Sequence, residues 1–353
     1  MPELGFCSRE YVVAKRKTLA AIAGEAGVSM PTVSKVLHGR SDVSEDTRDR
    51  VRRLLRQYGY PQPGRGHRPP GGGQIEFVIN ELDNPWAAEL IRGAEAALRP
   101  EGVGLVVSAV HKDQEQAERW GRALRERGSM GAILVLSELS AAREADLRDH
   151  GIPFVIVQPS TDASADAPSV GSTNWHGAYA ATHHLADLGH RRIAALMGPA
   201  HRHSPRTRLH GYRAALEDAG LPFDPDLVRH GTYARGPARS LMHELLDLAQ
   251  PPTAVFAGND LQALGVYRAL RERKLSVPDD VSVVGFDDLP FTQWISPELT
   301  TVRQPLDEMA AVAARLVVRL ARGEQPESVN LELPTTLVVR ESTGPAPVAP
   351  LSR

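Results

Sequence analysis

Two periodicities divide this chain. From Thr18 to about Tyr60 apolar residues recur at helical spacing, and from Ile75 onward they gather in short β-branched runs. In the first stretch Leu19, Ile22, Ala23 and Ala26 fall at i, i+3, i+4 and i+7, one face of a short helix. Gly27 breaks the pattern where a tight turn needs a permissive φ. Ser29 is placed to cap a second helix, with Pro31 in its first turn, where a missing N–H costs little. That helix turns Val33, Val36 and Leu37 inward and Met30, Ser34, Lys35 and His38 outward. A third helix is expected after Ser44, with Glu45 and Asp46 in its first turn, Arg52, Arg53 and Arg56 toward its end, and Gly59 closing it. Two short helices joined by a glycine turn follow the helix-turn-helix plan, whose second helix enters the DNA major groove.

The second stretch reads as alternating strand and helix. IEFVIN, VGLVVSAV, AILVL, FVIV, IAAL, AVFAG and SVVGF are the apolar runs, with helical segments between them. That alternation predicts an α/β body of parallel sheets in doubly wound layers. Between the two stretches residues 61–73 read PQPGRGHRPPGGG, nine of thirteen being Gly or Pro. At roughly 1 and 3 kcal/mol each against helix, these residues exclude a helical linker. Residues 1–16 show no periodicity and are expected to be a disordered leader, as is the Pro/Ala tail 344–353.

Charge sharpens the division. Residues 1–73 carry 13 Lys+Arg against 7 Asp+Glu, so +6, and the remainder carries 28 against 36, so −8. A basic head on an acidic body fits a head that meets phosphates. The single cysteine, Cys7, allows no intramolecular disulfide and suits a reducing compartment. No run of 18 apolar residues and no apolar signal segment occurs, so a cytoplasmic protein without membrane partners is expected.

The strings carry a family likeness. TLAAIAGEAGVSMPTVS and VSEDTRDRV in the head, and DLGHRRIAALMGP, RLHGYRAALEDAGL, PTAVFAGNDLQALGVYRAL, VPDDVSVVGFDDLP, SPELTTVRQP and LVVRES in the body, resemble the lactose-repressor (LacI/GalR) family over nearly the whole length. The resemblance implies a headpiece at 17–62, a hinge linker at 63–73 and a periplasmic-binding-protein-like body at 74–343. The body's first lobe would comprise about 74–171 and 304–333, and the second about 172–303 and 334–343. It further implies a homodimer on a roughly palindromic operator, half-sites about one helical turn apart. A small effector, most naturally a mono- or oligosaccharide, would bind between the lobes and control DNA affinity, with repression the family's usual outcome. In that family the hinge folds into a helix and wedges a leucine into the minor groove; this linker has no leucine, and its Gly and Pro content disfavours the helix. Arg65 and Arg68 offer an extended basic strand in the minor groove instead, a plain solvated linker being the other reading.

By that resemblance Met30, Pro31 and Lys35 face base edges. Lysine can donate to guanine and methionine can pack on a thymine methyl. Thr18, Ser29, Thr32, Ser34 and His38 are candidate phosphate clamps, which position without specifying. Open α/β sheets bind ligands beyond the carboxyl ends of their strands. Asn80, Asn84 and Trp86 follow the first body strand and can reach that crevice; for Trp86 the choice is between a sugar face and core packing. Arg208, Asn259, Asp287 and Gln304 would hydrogen-bond ligand hydroxyls, an arginine and a carboxylate suiting vicinal hydroxyls. Tyr233 is placed to stack on the ligand. Gln158 puts a neutral amide where the family often has aspartate. Of the pairs Asn259-Asp260 and Asp287-Asp288, one member of each is expected to cap the following helix.

His201 and His203 lack a third ligand nearby, poor grammar for zinc, so no metal is expected. Neither P-loop, G-x-G-x-x-G after a strand nor G-x-S-x-G occurs. No enzyme chemistry and no cofactor beyond the effector are therefore expected. A transporter's solute-binding protein, which would need a signal peptide, and a sugar-transforming enzyme, which would show turnover, are the readings from other classes.

Overall fold

The computed structural model describes residues 18–37, 43–58, 73–110, 120–121, 123–124, 126–135, 139–159, 167–324, 328 and 330–348. The expected leader, His38, Gly59, the linker arginines Arg65 and Arg68, and the tail beyond Val348 lie outside the described residues, as do the side chains of Leu37 and Arg56. The chain forms two compact units, 1–71 and 72–353.

In the first unit the helices are α1 (Leu19–Ala26), α2 (Met30–Leu37) and α3 (Glu45–Gln57). Ile22, Ala23, Ala26, Val33, Val36, Val51 and Leu55 form their shared core. Gly27 ends α1 at φ 65°, the left-handed conformation that the α1–α2 turn requires. Tyr58, after α3, donates to both carboxylate oxygens of Glu25 on α1 at 3.0 Å.

The second unit is built on two six-stranded sheets. Its elements are β1 (Gln74–Ile79), α4 (Pro85–Leu98), β2 (Gly104–Ala109), β3 (Gly131–Val135), α5 (Ala141–Asp149), β4 (Phe154–Val157), β5 (Ser169–Ser172), α6 (Asn174–Asp187), β6 (Ile193–Met197), α7 (His203–Asp218), β7 (Val228–His230), α8 (Arg235–Leu246), β8 (Ala254–Ala257), α9 (Asp260–Glu272), β9 (Ser282–Asp287), β10 (Thr300–Arg303), α10 (Leu306–Ala321), β11 (Asn330–Leu333) and β12 (Thr336–Val338). The sheets run β11-β5-β4-β3-β1-β2 and β12-β10-β9-β8-β6-β7. All pairings are parallel except β10 with β12.

Strand residues alternate between two cores per lobe, as a period of two demands. In the first lobe Ile75, Phe77, Ile133, Val155 and Val170 pack under α4 and α10, while Val78, Ala132, Leu134 and Ile156 pack on the opposite side with Leu147 of α5. In the second, Ala194, Leu196, Val255 and Val283 meet α8 and α9, and Ile193, Ala195, Phe256 and Phe286 meet α6 and α7. Both faces buried is why these strands read as continuous apolar runs.

Five strands carry too little apolar pattern to be predicted from sequence: β5, β7, β10, β11 and β12. Of these, β7, β11 and β12 lie at sheet edges, while β5 ends on Ser172, which bonds Gln304 in the crossing that follows β10. Three connections cross between sheets, at Thr173, at 304–305 and at 334–335. Two of them are bonded together: the Thr335 backbone N–H donates to Thr173 Oγ1 at 2.9 Å, and Thr335 Oγ1 donates to the Thr173 carbonyl at 3.1 Å.

The expected disordered tail from Gly344 is corrected as far as Val348. The Gly344 N–H donates to Ser282 Oγ at 3.0 Å, its carbonyl lies 3.1 Å from His190 Nε2, and the Ala346 N–H donates to Leu188 at 2.9 Å. His190 is fully buried, its other ring nitrogen 2.9 Å from Thr253 Oγ1. Backbone satisfaction by a buried side chain holds a segment that composition alone marks as loose.

Candidate functional site

In the first unit, the outward residues of α2 form one exposed ridge: Met30 (49% exposed), Pro31 and Ser34, with Lys35 half-buried beside them. Thr18 caps α1, its Oγ1 accepting from the Ala21 N–H at 3.3 Å. Ser29 caps α2 more loosely, its Oγ 3.4 Å from the Thr32 N–H and 2.9 Å from Thr32 Oγ1. Thr18, Ser29 and Thr32 thus anchor helix starts while remaining at the surface. A helix start with exposed N–H groups and hydroxyls is suited to phosphate.

In the second unit a polar chain crosses from one lobe to the other. Gln158, just beyond β4 and held at φ 55°, donates from Nε2 to Gln304 Oε1 at 2.5 Å and to Ser172 Oγ at 3.0 Å. Ser172 Oγ donates to the same Gln304 oxygen at 2.6 Å. Gln304, in the crossover after β10, donates from Nε2 to Asp287 Oδ1 at 2.5 Å. On the other side Asn174, the first residue of α6, donates to the Ser172 carbonyl at 3.0 Å and accepts from Arg208 Nε at 2.8 Å. Arg208, on α7, also donates to the Gly258 carbonyl, and its guanidinium lies 3.6 Å over the Phe286 ring. Arg208, Gln304 and Asp287 are each 4% exposed.

The electrostatics are finely opposed. Burial pushes the Asp287 carboxyl up to about 7, with Arg208 and the Gln304 amide pulling it back. Its neighbour Asp288 is fixed structurally, ion-paired to Arg340 at 2.6 Å and to Arg303 at 2.7 Å. Contrary to expectation, neither acid of that pair caps a helix, since each is consumed by side chains across the fold. In the other pair Asn259 does cap α9, accepting from Gln262 N–H at 2.8 Å, and its amide donates to the Tyr233 carbonyl at 3.4 Å. Asp260 is buried under that cap, accepting from the Leu289 N–H at 2.8 Å and Thr301 Oγ1 at 2.6 Å. Burial raises its pKa well above the usual carboxylate range.

Tyr233 lies against Gly198 at the end of β6. A Cβ at 198 would stand 2.6 Å from the Tyr233 hydroxyl, so only glycine admits the ring here. Asn80 and Asn84 stand beyond β1, at the rim of the first lobe. The Asn80 amide reaches the Val110 carbonyl at 3.5 Å, and Asn84 caps α4 through the Trp86 N–H at 3.0 Å. Trp86 is half-buried and packs on the first-lobe core, a cluster that also takes in Leu289 and Phe291 from beyond β9. The structure therefore joins Gln158, Gln304, Asp287 and Arg208 in one network and places Tyr233 and Asn259 beside each other.

Ser172 and Asn174 are members that sequence reasoning missed. They border β5, whose Ser/Gly composition hides the strand, and only the crossover position marks them. Among the described residues no group of three His, Cys, Asp or Glu side chains could hold a metal, and no helix is long and apolar enough to cross a membrane.

Residues 18–62 match the model for bacterial regulatory proteins of the lacI family, and residues 182–343 match that of a periplasmic binding protein-like domain. The chain is 35% identical over 337 residues to the HTH-type transcriptional regulator CelR of Thermobifida fusca, covering 93% of this chain and 98% of CelR. It is 30% identical over 332 residues to the HTH-type transcriptional repressor CytR of Escherichia coli K12, covering 94% and 97%. Among solved structures it is similar to the CelR–cellobiose complex (TM-score 0.71, 34% identity, 93% of this chain and all of that one). It also resembles the lac repressor dimer bound to operator and the anti-inducer ONPF (TM-score 0.69, 28% identity, 94% and 100%). With full-length relatives that are transcription regulators, a matched helix-turn-helix head and a two-sheet body of the periplasmic-binding type, the chain belongs to the LacI family of DNA-binding transcription regulators.

Proposed function

We propose that this regulator is a cytoplasmic repressor, acting as a homodimer on a roughly palindromic operator, and that a mono- or oligosaccharide bound between its lobes sets its DNA affinity. The observation that carries the ligand reading is the buried chain Arg208–Asn174–Gln158–Gln304–Asp287. It links donors and acceptors of both lobes beyond the strand ends, a set that suits vicinal hydroxyls. The solved CelR complex holds cellobiose, and the lac repressor structure is a dimer on its operator; both support the same assignment by analogy. Asn80, Asn84, Trp86, Tyr233 and Asn259 line the reading as further ligand contacts. Met30, Pro31 and Lys35 read base edges, with Thr18, Ser29, Thr32, Ser34 and His38 on phosphates. No cofactor or metal takes part.

With nine Gly or Pro in the thirteen linker residues, coupling runs through the separation of the two linker starts near Gln74 in the dimer rather than through a hinge helix. Fluorescence-anisotropy titration on DNA upstream of the protein's own gene, with and without mono- and disaccharides at fixed salt, tests the whole reading. Tight selective binding released by one sugar is the expected result. Selective binding that no sugar changes would remove the carbohydrate effector, and absence of selective binding would remove the repressor. Grafting a helix-forming hinge tests the coupling: a graft that responds to ligand much more steeply than the natural chain would restore the hinge-helix route.

A further inference from the structure

Beside the Arg208–Asp287 network lie buried donors that no described group answers. Among the described residues the Nε of Arg202 and the hydroxyl of Tyr233 are sealed from solvent without a hydrogen-bond partner. A buried donor left unpaired costs roughly 1–3 kcal/mol, and more when charged, so two in one corner are worth explaining. Gly198 fixes the Tyr233 hydroxyl beside the end of β6, where the 199–202 turn begins. Arg202, Arg208 and Asp287 are the charges near enough to act on that phenol. Burial pushes its pKa up, so it stays protonated and available as a donor.

The adjoining helix adds to the same demand. α7 starts at His203 with no side-chain cap, and its sixteen residues give a full dipole. The stretch 199–216 holds four arginines, three histidines and no acidic residue.

From these observations we infer that the corner formed by Arg202, Tyr233 and the start of α7 is a subsite for an anionic oxygen substituent of the effector, a phosphate ester or a carboxylate. The ligand is then an acidic sugar, its ring hydroxyls on Arg208, Asp287 and Gln304 and its anionic arm on Arg202. This rests on the crevice being the effector site. It adds a demand that hydroxyls meet poorly, because a guanidinium and a phenol both seek a strong acceptor.

The test uses the full chain and inorganic phosphate as the probe. Thermal unfolding is followed in phosphate and in chloride at matched ionic strength for the wild type, Arg202→Gln and Tyr233→Phe. Phosphate should stabilise the wild type beyond chloride, and Arg202→Gln should weaken its apparent affinity about tenfold or more, equivalent to about 1.4 kcal/mol. Tyr233→Phe should weaken it less, and serves alone if Arg202→Gln does not fold. Calorimetry with glucose, cellobiose, glucose 6-phosphate and glucuronate then separates ester from carboxylate. A phosphate response absent in the wild type, or undiminished in both variants, overturns the subsite. So does tight binding of a neutral sugar that Arg202→Gln leaves unchanged, although that result would keep the carbohydrate effector. A variant-sensitive phosphate response with no sugar bound would keep the subsite and count against the sugar reading.

Discussion

Replacing Asp287 with asparagine separates the cost of the site from its use. The carboxyl is 4% exposed and held at φ 120°, and burial pushes it up to about 7 despite Arg208 and Gln304. The folded chain therefore keeps this proton to higher pH than the unfolded chain, whose value is the ordinary 3.8. The stability linked to the group is fully present below the unfolded value and is lost as pH rises through about 7. Over the whole interval the loss is on the order of 4 kcal/mol, and between pH 5 and pH 8 roughly 2–3 kcal/mol. Relaxation and water entry make both figures upper bounds.

Asparagine keeps the size of the side chain and an oxygen to accept from Gln304 Nε2, and it does not titrate. Arg208 loses a counter-charge, a penalty that falls on the variant at every pH of the series. Urea unfolding of wild type and Asp287→Asn at pH 5, 6, 7 and 8 reads the difference directly. The wild type should lose up to ~2–3 kcal/mol relative to the variant across the series, and the variant should no longer bind the effector. A gap that stays flat from pH 5 to pH 8 would refute the reasoning, because it would mean that Arg208 holds Asp287 ionised throughout.

Three further outcomes follow from single contacts. Gly198→Ala should push the Tyr233 ring out of its place, costing about 1–3 kcal/mol by overpacking; chemical denaturation reads the cost and calorimetry the loss of ligand. Lys35→Ala should weaken binding to the cognate operator by roughly 1–3 kcal/mol while changing non-specific DNA binding little; a uniform loss across sequences in anisotropy titrations would make Lys35 a phosphate contact instead. His190→Ala removes the buried partner of Thr253, Ser282 and Gly344 and should cost roughly 1–3 kcal/mol. It should also free the 344–348 segment, seen as faster carboxypeptidase trimming.

Legibility in the sequence tracked burial. Runs such as FVIV and SVVGF lie between two helix layers, and their apolar continuity was enough to place them. SVGS and TTVR lie in the same sheets but spend side chains on polar duty: Ser172 bonds Gln304 at the lobe junction, and Thr300, at the far start of β10, bonds Thr343, so packing pattern and polar duty conflict and the pattern fades. Asn174 was hidden for the same reason. Arg208 and Gln304 were reachable only through the family strings around them, since nothing in their spacing reveals that α7 and a crossover converge on β9, whereas Asp287 was also marked by its place at the carboxyl end of the SVVGF strand. The unanswered donors of Arg202 and Tyr233 had no sequence signal at all: a lack of partners is visible only once every neighbour is placed.

The position of the network, more than its composition, makes it suited to control. Gln158 and Ser172 belong to the first lobe and Arg208 and Asp287 to the second, while Gln304 sits within one of the three crossings between them. A second crossing is hydrogen-bonded to a third through Thr173 and Thr335, so the three strands of the hinge are held together on one side and bonded to the site on the other. Any hydroxyl that takes the place of Gln304 on Asp287, or of Gln158 on Gln304, must break a bond that spans the lobes. On the proposed function, ligand and lobe contact would compete for the same oxygens, and the ligand would bind the two lobe arrangements with different strength. That difference is the only quantity through which an effector can shift a conformational equilibrium, and so the only one through which it can reach the DNA.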